Sequence, residues 1–161
     1  MVERERLEEQ IGEVLGLEMA AQKAVEELSA KGLLEKGELK SKLQSMKKEA
    51  GDHQTRIEHV MQELAESEGL DQQSIRHHAN EISQKALQMM QTYLGEDPET
   101  LDALEFLCLA EGGEVTHYEV LDELAKEVKD KKFASEVASI LGQEKQHLQL
   151  CTQLARENSS S

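Results

Sequence analysis

Five long segments of this sequence repeat apolar residues every three or four positions, which is the spacing of one face of an α-helix. In segment 133–154, five of the seven positions in this repeat are apolar. The two exceptions, Glu144 and His147, lie together in the middle, and their spacing puts both side chains on one helix face. Burying polar groups without partners costs roughly 2–7 kcal/mol. A bound metal ion is one reason for such a pair to lie in an apolar face.

The spacing predicts five helices, over residues 3–29, 38–67, 71–94, 98–129 and 133–154. Glycine supplies helix stops. It follows the first three segments, at Gly32, Gly37, Gly69 and Gly95. Asp97 is a suitable N-cap for the fourth helix, with Pro98 at its first position. The third segment has an uninterrupted apolar face that includes Met89 and Tyr93, which favours a connecting helix packed on the others.

Polar residues also interrupt the apolar faces of three other segments near their midpoints. The first segment carries Glu18, and the second carries His53 with Glu49 one turn before it. The fourth carries Glu111 and Glu114. If the chain folds back at the predicted turns, these groups meet Glu144 and His147 in one layer. Carboxylates and imidazoles from four helices form an oxygen and nitrogen site suited to iron, manganese or zinc.

Composition narrows the class of protein. There are 33 acidic and 18 basic residues, and the formal charge is −15, which argues against binding to nucleic acid or to an anionic membrane. Glycine and proline are sparse, as in an all-α protein. The amino terminus lacks the apolar region of a signal peptide, and no apolar run approaches transmembrane length. We therefore expect a cytoplasmic protein with one domain over residues 1–157 and a disordered tail over 158–161.

The layout of the helices and their polar residues resembles that of the ferritin-like di-iron carboxylate superfamily. The segment Thr116-His117-Tyr118-Glu119 and the later Glu144-Lys145 are most similar to its small stress-associated YciF-type branch. The resemblance implies an up-down four-helix bundle with an additional connecting helix. It also implies one or two iron ions, Fe(II) oxidation by O2 or peroxide, or metal storage or detoxification, and a role in stress protection.

By this resemblance, Glu18, Glu114 and Glu144 are carboxylate ligands and His147 is an imidazole ligand, while Glu111 competes with Glu114 for its place. The superfamily carries a Glu-x-x-His pair on the second helix, and this chain departs from that pattern. It offers Glu49 with His53, spaced by four, or Asp52 with Thr55. Whether a second metal ion binds depends on which of these pairs takes part.

Two other interpretations remain open from the sequence. The polar layer is also consistent with a metal-free network, such as Glu18 hydrogen-bonded to His53, in a helical module that oligomerises or binds a partner helix. Leucines outside the main apolar faces are consistent with a homodimer, although the sequence does not fix the oligomeric state: Leu17, Leu33, Leu34 and Leu109. In the fourth helix, the adjacent Gly112 and Gly113 are consistent with a local bulge or a close helix approach.

Overall fold

The computed structural model describes residues 3–160, and every regular element in that range is an α-helix. The five helices are α1 (Arg4–Ala30), α2 (Leu39–Glu68), α3 (Gln72–Leu94), α4 (Thr100–Glu127) and α5 (Lys131–Glu157). The predicted bounds differ from these by at most three residues. The all-α prediction is therefore confirmed. None of these helices is long and apolar enough to cross a membrane.

The helices pack side by side as a bundle. α1 and α2 are antiparallel neighbours, as are α4 and α5. α3 runs parallel to α1, which is its main neighbour, and it returns the chain so that α2 and α4 point in the same direction. The third helix is therefore a connector that packs on the outside of the bundle, as its sequence predicts.

α1 and α3 approach each other closely at glycines. A Cβ atom on Gly16 would lie 2.5 Å from the carbonyl oxygen of Ala79, so a side chain at this position would force the helices apart. Gly12, one turn earlier, faces α3 in the same way. Gly112 and Gly113 behave differently, because a Cβ atom on either would meet nothing within 4 Å and α4 is regular there. This glycine pair therefore forms neither a bulge nor a close helix approach, and that interpretation of the sequence is wrong.

Two apolar clusters form the core, one toward each end of the bundle. The first includes Ile11, Ile57, Tyr118, Leu121 and Val137. The second includes Val25, Leu43, Leu104, Cys151 and Leu154. On each of the helices α1, α2, α4 and α5, the buried residues between these clusters include the predicted Glu and His interruptions. The core is thus divided by a polar layer at its middle.

Local details differ from prediction in three places. α4 begins with Glu99 as its N-cap, whose backbone N–H donates to the Asp102 carboxylate at 2.8 Å, so Asp97 does not cap this helix. In α3, Met89 is 54% exposed and Met90 is buried, because the buried face drifts around a helix that packs on one side only. Leu34, expected outside the core, is buried in the second cluster.

The chain after α5 continues as a turn over residues 158–160. Asn158 donates its side-chain N–H to the Leu154 carbonyl oxygen at 2.8 Å, and the Ser159 hydroxyl donates to the Arg156 carbonyl oxygen at 2.8 Å. The expectation of disorder at 158–161 extends to Ser161, which lies outside the described residues.

Candidate metal centre

The polar layer contains six side chains that are at most 4% exposed. They are Glu18, His53, Glu111, Glu114, Glu144 and His147. The four helices of the bundle each place their central interruption at the same level, because each apolar face turns inward and carries its polar residue with it. Six of the seven candidate ligands from the sequence thus come together. The seventh, Glu49, has a side chain that is 52% exposed at the edge of the layer.

Three of these residues form a tight group, which we call the His53 triad: Glu18, His53 and Glu144. The Nδ1 atom of His53 lies 2.8 Å from Glu144 Oε1 and 3.1 Å from Glu18 Oε2. The Tyr118 hydroxyl donates a hydrogen bond to Glu18 Oε2 at 2.8 Å. All four side chains are fully buried, so these contacts occur without competition from solvent.

A second group, the His147 triad, consists of Glu111, Glu144 and His147. Its contacts are longer, since Nδ1 of His147 lies 3.5 Å from Glu144 Oε2 and 3.8 Å from Glu111 Oε2. In each triad the three candidate ligand atoms lie within 4.8 Å of one another, a span that one metal ion can bridge. Because Glu144 belongs to both triads, its two oxygens face two adjacent candidate ion positions.

The two histidines are oriented by residues on the outer side of their rings. Nε2 of His147 lies 2.7 Å from Glu49 Oε2, and Nε2 of His53 is hydrogen-bonded to Gln143 Oε1. Both partners are oxygen acceptors, so each Nε2 carries a proton and each Nδ1 points at the carboxylates. A neutral ring then presents a lone pair to anionic oxygens. A proton, either on the ring or on a facing carboxyl group, or a cation is needed to make this contact favourable.

Several buried carboxylate oxygens in the layer have no hydrogen-bond partner. They are Glu18 Oε1, Glu111 Oε2, Glu144 Oε2 and both oxygens of Glu114. A buried polar atom without a partner costs about 1–3 kcal/mol, and more when it is charged. The layer combines five such atoms with two imidazole nitrogens, which is the set of hard oxygen and borderline nitrogen donors that iron, manganese and zinc accept. The donors therefore fit a metal centre.

The protein lacks enough positive charge here to balance its carboxylates, and the pKa values reflect this. Burial, together with neighbouring carboxylates, raises the pKa of Glu18 to about 7 and holds those of Glu111 and Glu114 well above their usual range. Burial alone would lower the pKa of His53, but its hydrogen bonds to Glu144 and Glu18 outweigh burial and raise it to about 10. In the metal-free layer, protons therefore take the place of cations.

Glu144 differs from the other carboxylates. Burial alone would raise its pKa, but the neighbouring imidazoles of His147 and His53 outweigh burial and hold it below the usual range. Glu144 is therefore the carboxylate that stays ionised between the two rings. This is the charge state that a carboxylate needs in order to bridge two cations.

Other candidates from the sequence lie outside the layer. Asp52 and Thr55 are exposed, and the Thr55 hydroxyl donates to the Gly51 carbonyl oxygen, so the alternative pair on α2 does not face the triads. The His117 side chain points away from the layer, and its Nε2 atom lies 4.0 Å from Glu13 Oε2. Gln143 was not predicted, because helical spacing places it off the apolar face of α5.

The two cysteines are free thiols. Cys151 is buried below the layer and lies with its sulfur 3.7 Å from the sulfur of Met46. Cys108 is partly buried and contacts Thr152. Neither side chain takes part in the triads.

Comparison with known proteins adds no relative from which function could be transferred. No family model matches the chain, and no curated protein or solved structure matches it significantly. The candidate site therefore rests on the geometry and chemistry of the layer itself.

Proposed function

We propose that the central layer binds two divalent transition-metal ions, with iron first and manganese or zinc as alternatives. One ion lies at the His53 triad and the other at the His147 triad, and Glu144 bridges them. The observation that carries this proposal is the set of five buried carboxylate oxygens without hydrogen-bond partners, two of which, on Glu111 and Glu144, face Nδ1 of His147. A metal ion would satisfy these oxygens, for which no described side chain supplies a hydrogen bond.

Charge balance favours two ions over one. The buried carboxylates are Glu18, Glu111, Glu114 and Glu144, which carry four negative charges when ionised. Two divalent cations supply four positive charges and allow both histidines to stay neutral. Each neutral ring then donates its Nε2 proton in a hydrogen bond, His53 to Gln143 and His147 to Glu49. A single divalent cation would leave two buried negative charges for protons to neutralise.

The order and direction of the helices support a ferritin-like assignment. α1 and α2 form one antiparallel pair, α3 crosses back, and α4 and α5 form the second pair, with Glu144-x-x-His147 on the last helix. By this assignment the protein is a cytoplasmic iron protein with a role in stress protection. Iron held in such a site supplies electrons to O2 or peroxide. Glu144 would hold both ions, and the hydrogen bond from Tyr118 would fix the orientation of Glu18.

A metal-free interaction module is the second candidate. Its support is the closed set of hydrogen bonds among His53, Glu144, Glu18 and Tyr118, which needs no ion. The surface adds to it, because Met89, Tyr93 and Leu109 are 54%, 45% and 56% exposed around one cleft. In this alternative, that surface contacts a partner helix or a second copy of the chain.

Metal content distinguishes the two candidates. Purified protein without an affinity tag is analysed for iron, manganese and zinc, and then titrated with Fe(II) under anaerobic conditions. The expected result is about two ions per chain in the parent and none in a Glu144→Ala/His147→Ala double variant. A parent that contains no metal and takes up no Fe(II) would exclude the metal centre and leave the interaction module.

A further inference from the structure

A small cavity of about 30 Å³ lies against the carboxylate side of the layer. Glu111 and Glu114 form its polar end, and both oxygens of Glu114 lack hydrogen-bond partners. The remaining walls are apolar and mostly small, and they include Ala20, Ala24 and Leu107. Alanines on α1 therefore leave a space beside the layer that larger side chains would fill.

A larger cleft of about 310 Å³ lies between α3 and α4. It shares four wall residues with the small cavity: Leu17, Ala86, Phe106 and Ala110. These four residues line both spaces, so the cleft and the cavity are adjacent, and we call this shared wall the neck. The cleft also runs along Gly113, where the missing side chain leaves it open, and a Cβ atom there would meet nothing within 4 Å.

The outer cleft is also lined by Glu13, Lys85 and His117, whereas the neck is entirely apolar. We propose that the cleft and the cavity form a path, apolar at the neck between them, that delivers dioxygen to the Glu111 and Glu114 side of the layer. This inference rests on the proposed function, because the path needs metal ions at its end. The neck carries no charged side chain, so a hydrated cation would lose its water without replacement there. Such a path favours a small apolar molecule over an ion.

The volume of the cavity selects the size of this molecule. A cavity needs about 10–15 Å³ to hold one water molecule, so about 30 Å³ accommodates a diatomic gas and excludes an alkyl chain. In the balanced reaction, one dioxygen takes one electron from each of two ferrous ions and two protons from solvent. The products are one hydrogen peroxide and two ferric ions.

Dioxygen is paramagnetic, so its position is measurable without turnover. Methyl NMR spectra of the full chain, loaded with zinc, are recorded under several bars of O2 and compared with spectra under nitrogen. Methyl relaxation at Ala24, which lines the cavity, is expected to increase at least threefold more than at Ala125, which is also buried, belongs to the first cluster and lines neither space. In Ala110→Leu, which narrows the neck, the excess at Ala24 should disappear.

Gly112→Leu is the matched control. It places a leucine on α4 two residues away from Ala110. A Cβ atom at Gly112 meets nothing within 4 Å, and Gly112 lines neither the cleft nor the cavity. It should keep the relaxation at Ala24 and the parent rate of Fe(II) oxidation, while Ala110→Leu slows oxidation at least tenfold with unchanged anaerobic Fe(II) affinity. Circular dichroism checks that both variants fold.

The outcomes separate this inference from the proposed function. Parent protein that binds Fe(II) but gives equal O2 effects at Ala24 and Ala125 would overturn the path and leave the metal centre intact. The same holds if Ala110→Leu folds, closes the neck and oxidises iron at the parent rate. Protein that binds no Fe(II) would overturn the proposed function and, with it, the role of the path.

Discussion

The two triads share Glu144 yet differ in how far the protein satisfies them without an ion. In the His53 triad, Nδ1 of His53 contacts Glu144 and Glu18 at 2.8 and 3.1 Å, and Tyr118 donates a hydrogen bond to Glu18. Apart from the shared Glu144, the only buried oxygen of this triad without a partner is Glu18 Oε1. On the side of the His147 triad, the contacts of 3.5 and 3.8 Å are too long for strong hydrogen bonds. Beside them, both oxygens of Glu114 lack partners.

If the layer binds metal as proposed, this difference implies that its two sides depend on the ion unequally. The His53 triad is a nearly closed hydrogen-bond network that holds together with a proton on the imidazole. The side of His147, Glu111 and Glu114 leaves buried acceptors facing one another, which is unfavourable until a cation binds between them. We therefore expect metal binding to stabilise the second side more than the first.

The largest expected effect comes from the residue that belongs to both sides. Glu144→Ala removes a ligand from each triad, so we expect Fe(II) stoichiometry to fall from about two to none. Glu18→Ala removes a ligand from the His53 triad only and should leave about one ion per chain. Anaerobic Fe(II) titration measures both. Glu136→Ala, which removes a partner of Arg56 at the surface of α5, is the control and should keep the parent value. Equal losses in the Glu144 and Glu18 variants would contradict a bridging role.

The pH dependence of stability should reverse when metal binds. In the metal-free protein the pKa of Glu18 rises from 4.5 to about 7, so its contribution is complete below pH 4.5 and is lost as pH rises through 7. The raised pKa of His53 acts in the same direction, with its contribution lost as pH rises through about 10. The raised pKa of Glu18 alone corresponds to about 3 kcal/mol in the free energy of unfolding. Glu144, whose pKa is lowered, stabilises the fold above about pH 4.5 and loses this effect in acid.

Urea unfolding with a chelator, measured from about pH 5 to pH 9, should therefore give a falling free energy of unfolding. With saturating Mn²⁺ the trend should rise instead, because metal ions displace the protons and bind more tightly as pH increases. Metal-free protein whose stability rises over this range would contradict the account of the buried carboxylates.

Apolar substitutions should distinguish the two sides of the layer by sign. Glu114→Leu removes two oxygens that lack partners, and we expect the metal-free protein to gain about 1–3 kcal/mol in its free energy of unfolding. His53→Leu removes the partner of Glu18 and Glu144 and should lower stability by a similar amount. Both are measured by urea unfolding with a chelator. A loss of stability in both variants would indicate that Glu114 has a protein partner after all.

The outer contacts of the histidines should have smaller effects on affinity. Glu49→Ala and Gln143→Ala each remove the acceptor that orients an imidazole, which typically costs 10–100-fold in metal affinity. Because the Glu49 side chain is 52% exposed, water can replace it, and we expect the smaller loss there. Isothermal titration with Mn²⁺ checks the order. A Glu49 variant that loses a whole ion would make this residue a ligand.

The smallest effect should come from Tyr118→Phe. This change removes one hydrogen bond to Glu18 and keeps the ring in the first cluster, so the free energy of unfolding should fall by about 1 kcal/mol. Thermal unfolding of the metal-free protein measures the change. The number of bound ions should remain about two, and a loss of one ion would show that Glu18 depends on Tyr118 for its position.

The helices and most of the layer are readable from the sequence because helical spacing alone decides which residues share a face. Glu144 and His147 stand out in an apolar face, as do Glu18 and His53, and the structure buries all of them. Glu49 shows the limit of this reasoning. It lies near the same face, but its half-exposed side chain contacts the outer nitrogen of His147, Nε2, from the edge of the layer.

Features that depend on contacts between helices were not predicted. Gln143 lies off the apolar face of its own helix and reaches His53 only because α2 packs against α5. The roles of the glycines were reversed for the same reason. Gly16 permits a close approach of α1 to α3, which depends on where α3 packs. A Cβ atom on Gly112 or Gly113, by contrast, would meet nothing within 4 Å.

The central claim is that two metal ions lie on either side of Glu144. Crystals of the protein grown with Mn²⁺ or with Fe(II) under anaerobic conditions, and measured at the absorption edge of the metal, test this directly. The account predicts two anomalous peaks in the layer, one against Nδ1 of His53 and one against Nδ1 of His147, with a Glu144 oxygen beside each. Well-ordered crystals with no anomalous peak in the layer, and with His53 still bound to Glu18 and Glu144, would contradict it.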